Sequence, residues 1–292
     1  MKNNFAPIAL FCYNRLEHLK KTINSLKKNV LAKESELIIF SDYGKDVGNV
    51  RKYIKTIKGF KKVIIVERKE NFGLAKSIIK GVTEVVNKYG KIIVLEDDLL
   101  TGKYFLQYMN DALDFYEKDK KVGCVGGYIY PVKTPLQETF FLNVPNPWGW
   151  ATWKSSWKLF DKDGFGLLNE IVGKNLKKEF DVNNSYPYTK MLKNQIKGKN
   201  NSWAIRWRAS LFLKKKLTLY PGKHLIKNIG LDGSGENCNY DSKRDVEICN
   251  EKVNLLKIPL VSDTKVLKAI ESNYRSMLIG RIKGKLKKVF KI

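Results

Sequence analysis

The first hundred residues alternate short, continuous apolar runs with amphipathic stretches. The runs "PIALFCY", "ELIIFSD", "KKVIIVER" and "KIIVLEDD" each have the length and composition of a buried β-strand. Apolar residues at positions 16, 19, 23 and 26 repeat with helical spacing, and residues 75–86 are also amphipathic. Strands that are apolar throughout and alternate with helices are typical of a parallel sheet covered on both faces. The pattern predicts an α/β fold with a mostly parallel central sheet flanked by helices.

The pattern becomes less regular after residue 100. A helix is predicted in "KYFLQYMNDALDFYEKD" and a strand in "VGCVGGYIY". Residues 131–147, which hold four of the eight prolines, are predicted to be a loop or an irregular crossing. In "PWGWATWKSSWKLF" a helix would place Trp150, Trp153 and Trp157 on one face, either packed in the core or offered to a sugar ring. A helix in "SWAIRWRASLFL", a strand in "LTLYP" and a glycine-rich loop follow. That loop either closes over a ligand or is an ordinary surface loop.

The C-terminal segment combines apolar helical spacing with a high density of lysine. From Val266 the apolar residues keep a helical period, and lysines occupy positions 283, 285, 287, 288 and 291. This pattern predicts a basic amphipathic helix over residues 261–292 that binds an anionic membrane surface. The alternative is a terminal helix that docks on its own domain.

Composition narrows the class of protein. The chain has 292 residues, of which 43% are hydrophobic, enough for one large core. No run approaches the roughly 20 apolar residues of a membrane span, and the N-terminus lacks the pattern of a secretory signal, so we expect a cytoplasmic protein. The net charge of +26 favours an anionic environment, but 47 of the 55 basic residues are lysine. A protein that reads bases would be expected to use more arginine.

Polar residues follow each predicted strand, at the end where open parallel sheets bind ligands. They are Asn14, Arg15, Ser41, Asp42, Arg68, Glu96, Asp97 and Asp98. Three adjacent carboxylates repel one another unless a cation compensates them, although one of them could instead cap the following helix. Mg²⁺ and Mn²⁺ accept one or two carboxylates together with the phosphates of a substrate. The set therefore indicates a nucleotide site that uses a metal, and no GxxxxGK[ST] loop or HExxH motif offers another type of site.

Taken in order, these motifs resemble the GT-A glycosyltransferases. "PIALFCYNRLEHLKKTINSL", "IIFSDYGKD", "NFGLAKSIIKGV" and "IIVLEDDLL" have the order and spacing of the donor half of bacterial family-2-like enzymes. They are similar to the N-acetylglucosaminyltransferase I family still more closely. "PWGWATW" and the stretch from "SWAIRW" to "GLDGSG" resemble the acceptor half of bacterial surface-polysaccharide transferases. The resemblance implies a GT-A domain over residues 1–260, with a nucleotide-sugar half at 1–130 and an acceptor half at 131–260.

The resemblance also assigns roles to residues. It implies that Asp42 contacts uracil, that Arg15 holds the nucleotide and that Asp98 binds Mn²⁺ (or Mg²⁺) bridging the diphosphate of a UDP-sugar. The residues expected to contact the donor are Arg15, Asp42, Gly73, Leu74, Lys76, Glu96 and Asp97. On the acceptor side, Trp150 and Trp153 would contact the glycan, and Arg206 and Arg208 would bind an acceptor pyrophosphate.

The catalytic base departs from the family pattern. The related enzymes use an acidic pair between two tryptophans, whereas this chain has Ile205 and Arg206 in "SWAIRWRAS". An inverting transfer needs a group that accepts the proton of the acceptor hydroxyl. Asp232 and Glu236, in the glycine-rich loop, are the candidate bases.

The resulting hypothesis is a metal-dependent transferase that moves GlcNAc or a related hexose from a UDP-sugar, with inversion. The acceptor would be a surface polysaccharide, such as lipopolysaccharide or capsule, or a polyprenyl-diphosphate-linked glycan at the inner face of the bacterial cytoplasmic membrane. The alternatives are a nucleotidyltransferase acting on sugar phosphates and a basic nucleic-acid-binding protein. The first usually carries a glycine-rich loop after its first strand, where this chain has "CYNRLEHL". We expect no nucleic-acid partner.

Overall fold

Strands and helices alternate along the chain, as the apolar pattern predicts. A computed structural model describes residues 5–233 and 246–289, with residues 278–289 described by their backbone alone. The strands are β1 Ile8–Cys12, β2 Glu36–Ser41, β3 Lys62–Glu67, β4 Lys91–Glu96, β5 Leu99–Thr101, β6 Val122–Gly126, β7 Thr139–Leu142, β8 Trp150–Trp153, β9 Leu217–Pro221 and β10 Ile226–Asn228. The helices are α1 Leu16–Lys27, α2 Gly48–Ile54, α3 Gly73–Tyr89, α4 Phe105–Phe115, α5 Lys154–Trp157, α6 Gly164–Gly173, α7 Lys177–Phe180, α8 Tyr188–Ile196, α9 Trp203–Leu213 and α10 Thr264–Val289, with a 3₁₀ turn at Ala32–Glu34.

The central sheet has eight strands in the order β3-β2-β1-β4-β8-β6-β9-β7. Strands β3, β2, β1 and β4 are parallel, and β6 and β9 run in the same direction because β8 is antiparallel to both β4 and β6. Only β7 and β8 run the opposite way within this sheet. The prediction of a mostly parallel sheet flanked by helices is therefore confirmed. The carboxyl ends of six strands lie at one edge.

Helices cover both faces of this sheet. On one face α1, α2 and α4 pack through apolar residues such as Leu19, Ile23 and Leu106. On the other face α3, α5 and α9 pack through residues such as Ile78, Trp157 and Trp207. Apolar runs without polar alternation are buried on both sides, which explains why the four N-terminal strands contain so few polar residues.

A third apolar cluster joins α6, α7, α8 and α10 to the end of the sheet formed by β7 and β9. Helix α10 enters it with Val266, Ile270, Tyr274 and Met277, all less than 10% exposed. These positions form one stripe of the helix. The first half of the C-terminal helix therefore docks on its own domain, and the backbone continues as a helix to residue 289.

Two local predictions are wrong. Residues 131–147, predicted as a loop or an irregular crossing, include the edge strand β7, whose residue Thr139 pairs with Pro221. Trp150 and Trp153 belong to strand β8, so they do not share a helical face with Trp157, which lies in α5. Successive residues of a strand point to opposite faces, so Trp150 and Trp153, three positions apart, lie in different core clusters. Pairing with β4 on one side and β6 on the other decides this conformation.

Candidate active site

An arginine compensates the acidic triplet that follows β4. Arg15, at the start of α1, donates from Nη2 to Asp97 Oδ1 and to Asp98 Oδ2, each at 2.7 Å. The backbone N–H of Tyr13 also donates to Asp97 Oδ2 at 3.3 Å. Both contacts exist because β1 and β4 are parallel neighbours, which brings the residues after them to the same edge. The side chains of Asp97 and Asp98 are at most 10% exposed.

One guanidinium does not fully balance three acids. Burial, followed by the charges of Asp98 and Asp97, raises the pKa of Glu96 to about 8. Burial also raises the pKa of Asp97, although Arg15 opposes that shift. Raised carboxyl pKa values mark a place where negative charge is costly and where a bound cation would be stabilised.

A small two-stranded sheet brings the second half of the chain onto this triplet. Strand β5, directly after Asp98, pairs antiparallel with β10, and the N–H of Ile229 donates to the carbonyl of Asp98 at 2.9 Å. Gly230 then packs against the acids so closely that an added Cβ would lie 2.1 Å from Asp98 Oδ2 and 3.0 Å from Arg15 Nη1. Glycine at this position allows the loop to cover the carboxylates.

The same loop brings a candidate base to the edge. Asp232 Oδ2 lies 3.0 Å from Nε2 of His18, on α1. The Asp232 side chain is 47% exposed and the His18 side chain 17% exposed. Asp232 is two residues from Gly230, so its Cα lies within roughly 7 Å of the residue that covers Asp98. The other candidate base, Glu236, lies outside the described residues.

Asp42 connects the end of β2 to the start of α3. Its Oδ1 accepts the backbone N–H groups of Tyr43 and Phe72, each at 2.9 Å, and its own N–H donates to the carbonyl of Cys12 at 3.0 Å. Asp42 is only 6% exposed. Because α3 begins at Gly73, the Asp42 carboxylate fixes the first turn of α3 beside the ends of β1 and β2.

The first turn of α3 contains the other predicted donor residues. Gly73 has φ of +65°, a conformation that favours glycine, and its N–H donates to Asn71 Oδ1 at 2.8 Å. Leu74 is 41% exposed. Lys76 pairs with Glu70 at 3.1 Å and lies over the Phe72 ring, 4.0 Å from its centroid. These residues line the same edge, and their roles toward a donor stay predictions.

The predicted acceptor tryptophans are core residues. Trp150 is 1% exposed and packs against Trp157, Trp203 and Trp207, with ring centroids 5.3 to 6.0 Å away. Trp153 is 5% exposed, and its Nε1 donates to the carbonyl of Leu113 at 3.0 Å. Neither ring is placed to stack on a glycan, because strand pairing buries both.

The predicted acceptor arginines are also used within the fold. Arg208, 3% exposed, lies over the ring of Tyr188 at 3.8 Å and donates to the carbonyl of Phe180 at 2.7 Å. Arg206 donates to the carbonyls of Ser202 and Lys162. Helix α9 is packed on two sides, so its polar side chains lie among other helices. A pyrophosphate-binding role for this pair does not fit their burial.

Two residues at the site, His18 and Gly230, were not among the predicted site residues. His18 lies in the segment predicted as a helix from the apolar spacing at positions 16, 19, 23 and 26, and Gly230 lies in the predicted glycine-rich loop. The spacing of His18 from Arg15, three residues along the chain at the start of α1, was the available signal. Trp148, which packs against the core, is more exposed than Trp150 and meets Tyr128 edge-on with ring centroids 4.6 Å apart. Trp148 lies two residues before the start of β8.

The carboxylates after β4 offer only a few ligands to a divalent cation. Among the side chains of residues 5–233 and 246–277, no group of three or more His, Cys, Asp or Glu could hold a metal. A metal that is also bound by substrate phosphates needs only one or two carboxylates. Asp98 and Asp97 supply these, in a cluster where one arginine faces three acids. The residues are therefore suitable for Mn²⁺ or Mg²⁺ held jointly with a diphosphate.

Comparison with known proteins gives one match that covers most of the sheet. The model of glycosyl transferase family 2 matches residues 8–168, more than half of the chain. No curated protein matches the sequence.

Several solved structures are similar to the chain at low sequence identity. One is the mannosyltransferase PcManGT from Pyrobaculum calidifontis in complex with GDP-Man and Mn²⁺, with a TM-score of 0.42 and 11% identity over 73% of this chain and 70% of that one. S. aureus TarS 1–349 in complex with UDP-GlcNAc gives 0.34 and 16% over 46% and 38%. GalNAc-T7 with UDP, GalNAc and Mn²⁺ gives 0.39 and 14% over 54% and 37%. The chain spans less than half the length of the last two.

Proposed function

Because this chain belongs to glycosyl transferase family 2, we propose that it transfers GlcNAc or a related hexose from a UDP-sugar, with Mn²⁺ or Mg²⁺, to a glycan acceptor. The predicted resemblance to family-2-like GT-A glycosyltransferases and the prediction of a glycosyltransferase are confirmed. The closer similarity to the N-acetylglucosaminyltransferase I family stays a prediction.

The convergence of Arg15, Asp97, Asp98 and Gly230 at one sheet edge carries the proposal. Arg15 and the two aspartates come from β-strand ends far apart in sequence, and the loop after β10 covers them. Asp98, with Asp97 beside it, would hold the cation, whose chemistry when bound is to neutralise the diphosphate leaving group. Arg15 would hold the nucleotide phosphates, for which a guanidinium is well suited.

Asp42 and the start of α3 provide the nucleoside side of the proposal. The Asp42 carboxylate is fixed through Oδ1 by two backbone N–H groups. A buried carboxylate held in one orientation is suited to accept the imide N–H of a uracil. Gly73, Leu74 and Lys76 follow directly on α3 and would border the donor.

The proposed transfer is a single inverting displacement. The acceptor hydroxyl gives its proton to Asp232 as its oxygen bonds to the anomeric carbon of the sugar. The bond from that carbon to the diphosphate oxygen breaks, and its electron pair leaves with UDP. Asp232 is proposed as the base because the loop that covers Asp98 also brings it to the edge.

The acceptor and its location are proposed from the C-terminal helix. The docked stripe of α10 ends at Met277, and the sequence beyond it is rich in lysine and apolar residues. We expect this end to bind the anionic inner face of the cytoplasmic membrane, where polyprenyl-diphosphate-linked precursors of lipopolysaccharide or capsule would serve as acceptors. Among the described residues, no helix is both long and apolar enough to cross a membrane.

Thermal stability with donor nucleotides tests the donor and metal assignments. A ligand that binds only the folded state raises the melting temperature. We expect UDP-sugars with Mn²⁺ to raise it more than GDP-, CMP- or dTDP-sugars do, and EDTA to remove most of the effect.

The variant Asp98→Ala tests the metal residue in the same assay. We expect it to lose the Mn²⁺-dependent shift and to lower UDP-sugar turnover at least about 1000-fold, as expected when charge stabilisation at a leaving group is lost. Asp114→Ala is the matched control, because Asp114 is an exposed carboxylate that pairs with Lys91. Full activity in Asp98→Ala would exclude the metal assignment, and no shift with any UDP-sugar would exclude the donor.

A further inference from the structure

One turn of α1 contacts both halves of the site. Arg15 immediately precedes α1, and His18 lies in the first turn of that helix, three residues further along the chain. Arg15 donates to Asp97 and Asp98 after β4, and His18 contacts Asp232 after β10. The start of α1 therefore contacts both the carboxylates proposed to bind the metal and the proposed base, Asp232.

The hydrogen bond between His18 and Asp232 has a defined direction when Asp232 acts as the base. A proton acceptor must be ionised, and an ionised carboxylate only accepts hydrogen bonds, so the proposed role of Asp232 requires Nε2 of His18 to carry the hydrogen in their 3.0 Å contact. A hydrogen bond to one carboxylate oxygen restricts rotation of the Asp232 carboxylate and so limits the positions of its other oxygen. A proton acceptor must be placed accurately, because a misplacement of about 1 Å can cost about 100-fold in rate.

Stability alone does not explain this pair. The Asp232 side chain is 47% exposed. Exposed pairs of this kind contribute at most about 1 kcal/mol to folding. Removal of the imidazole should therefore change the reaction without unfolding the protein.

We propose that His18 is a positioning residue that orients Asp232 as the proton acceptor of the transfer. This inference rests on the proposed function, in which Asp232 takes the proton of the acceptor hydroxyl. His18 does not contact the sugar in this role. It donates to Asp232 throughout, and the bond changes are those of the displacement described above.

Two substitutions separate orientation from bulk. In His18→Gln the side-chain amide can take the place of Nε2–H, whereas the shorter amide of His18→Asn cannot reach Asp232. Glu17→Gln is the matched control on the same helix, because Glu17 is exposed and pairs with Lys20. The assay is UDP release from UDP-GlcNAc, UDP-GalNAc and UDP-glucose with Mn²⁺, in which water serves as the acceptor and must lose a proton in the same way.

We expect His18→Asn to lower kcat about 100-fold, with KM for the UDP-sugar within about twofold of the unsubstituted protein. His18→Gln should recover most of that loss, and Glu17→Gln should match the unsubstituted protein. In Asp232→Asn the change His18→Asn should have no further effect, because the base it orients is already absent.

The outcomes distinguish this inference from the proposed function. If the unsubstituted protein hydrolyses a UDP-sugar and His18→Asn keeps its kcat, the positioning role is wrong while the donor assignment stands. Equal losses in His18→Gln and His18→Asn would also overturn it, as would a rise in KM without a fall in kcat. If the unsubstituted protein releases no UDP from any of the three donors, the proposed function itself fails.

Discussion

The two halves of the sheet use their side chains in different ways. In the half formed by β3, β2, β1 and β4 the polar residues stand at the strand ends, where Asp42, Arg15 and Asp98 face one edge. In the half formed by β8, β6, β9 and β7, polar and aromatic residues that looked functional are buried, as with Trp150 and Arg208. In the parallel half, the polar side chains lie at the edge of the sheet. In the other half, antiparallel pairing and packed helices bury the residues that looked functional.

This difference shows when a residue type indicates function. An acid directly after a buried parallel strand must lie at the carboxyl-end edge of the sheet, so the direction of the strand predicts its position. An aromatic residue or arginine within a segment of undefined partners could be core or surface. From the second half, the β10 strand and Gly230 directly after it contact Asp98.

The largest expected effect concerns the aromatic core of the second half. Trp150→Ala should lower the free energy of unfolding by about 4 kcal/mol, because it empties a fully buried site lined by three other tryptophans. Trp148→Ala, at a partly exposed position, should cost less than half as much. Urea denaturation of both variants measures the difference. Equal losses would contradict the distinction between core and edge tryptophans.

The next effect tests the link between the halves. Gly230→Ala should lower UDP-sugar turnover about 100-fold, because its Cβ would displace Asp98 or the loop that covers it. Gly230 lacks a positive φ, so its backbone tolerates alanine and the fold should persist. Gly173→Ala is the control, since nothing lies within 4 Å of its added Cβ. Unchanged turnover in Gly230→Ala would show that the loop does not cover the site closely.

A smaller expected effect is a pH dependence of the free energy of unfolding that comes from the acidic edge. The pKa of Glu96 is raised from about 4.5 to about 8, so the folded state holds this proton more tightly than the unfolded chain does. The free energy of unfolding should therefore fall as pH rises from about 4.5 to about 8. Glu96→Gln should remove on the order of 2 kcal/mol of this fall. Urea denaturation in EDTA between pH 5 and pH 8 measures the slope, and parallel slopes for both proteins would contradict the prediction.

The smallest effect concerns the segment beyond both halves. Deletion of residues 279–292 should weaken binding to vesicles containing phosphatidylglycerol at least about tenfold, because each lysine near an anionic surface contributes about 1 kcal/mol. The melting temperature should change little, since the docked residues Val266, Ile270, Tyr274 and Met277 remain. Cosedimentation with anionic and with neutral vesicles provides the measurement. Equal binding by the shortened and full chains would remove the membrane from the proposal.

Much of the first half was predictable from the sequence. The four N-terminal strands and helices α1 and α3 were predicted close to their observed bounds, because continuous apolar runs and helical spacing are local signals. The gathering of Arg15, Asp97 and Asp98 followed from parallel strand direction. The pairing of Arg15 with Asp97 and Asp98 was not predictable, since a motif gives the position of a side chain but not its partner.

In the second half, local spacing and composition predicted the wrong secondary structure. Helical spacing of Trp150, Trp153 and Trp157 was present in the sequence, yet β8 is a strand because it fills the gap between β4 and β6. Strand β7 lay in a proline-rich stretch and forms through pairing with β9. Arg208 looked like a ligand-binding arginine until its contacts with Tyr188 and Phe180 were known.

The order of apolar runs along the chain was enough to specify a mostly parallel α/β sheet and the edge that holds Arg15, Asp42 and Asp98, because these depend on local periodicity and strand direction. Contacts between distant segments decided the rest: the strand at Trp150, the burial of Arg208, the cover of Gly230 over Asp98 and the pairing of His18 with Asp232. Their energies come from partners 20 to 214 residues away, as the separations of Arg208 from Tyr188 and of His18 from Asp232 show. No local pattern of polar and apolar residues records such partners.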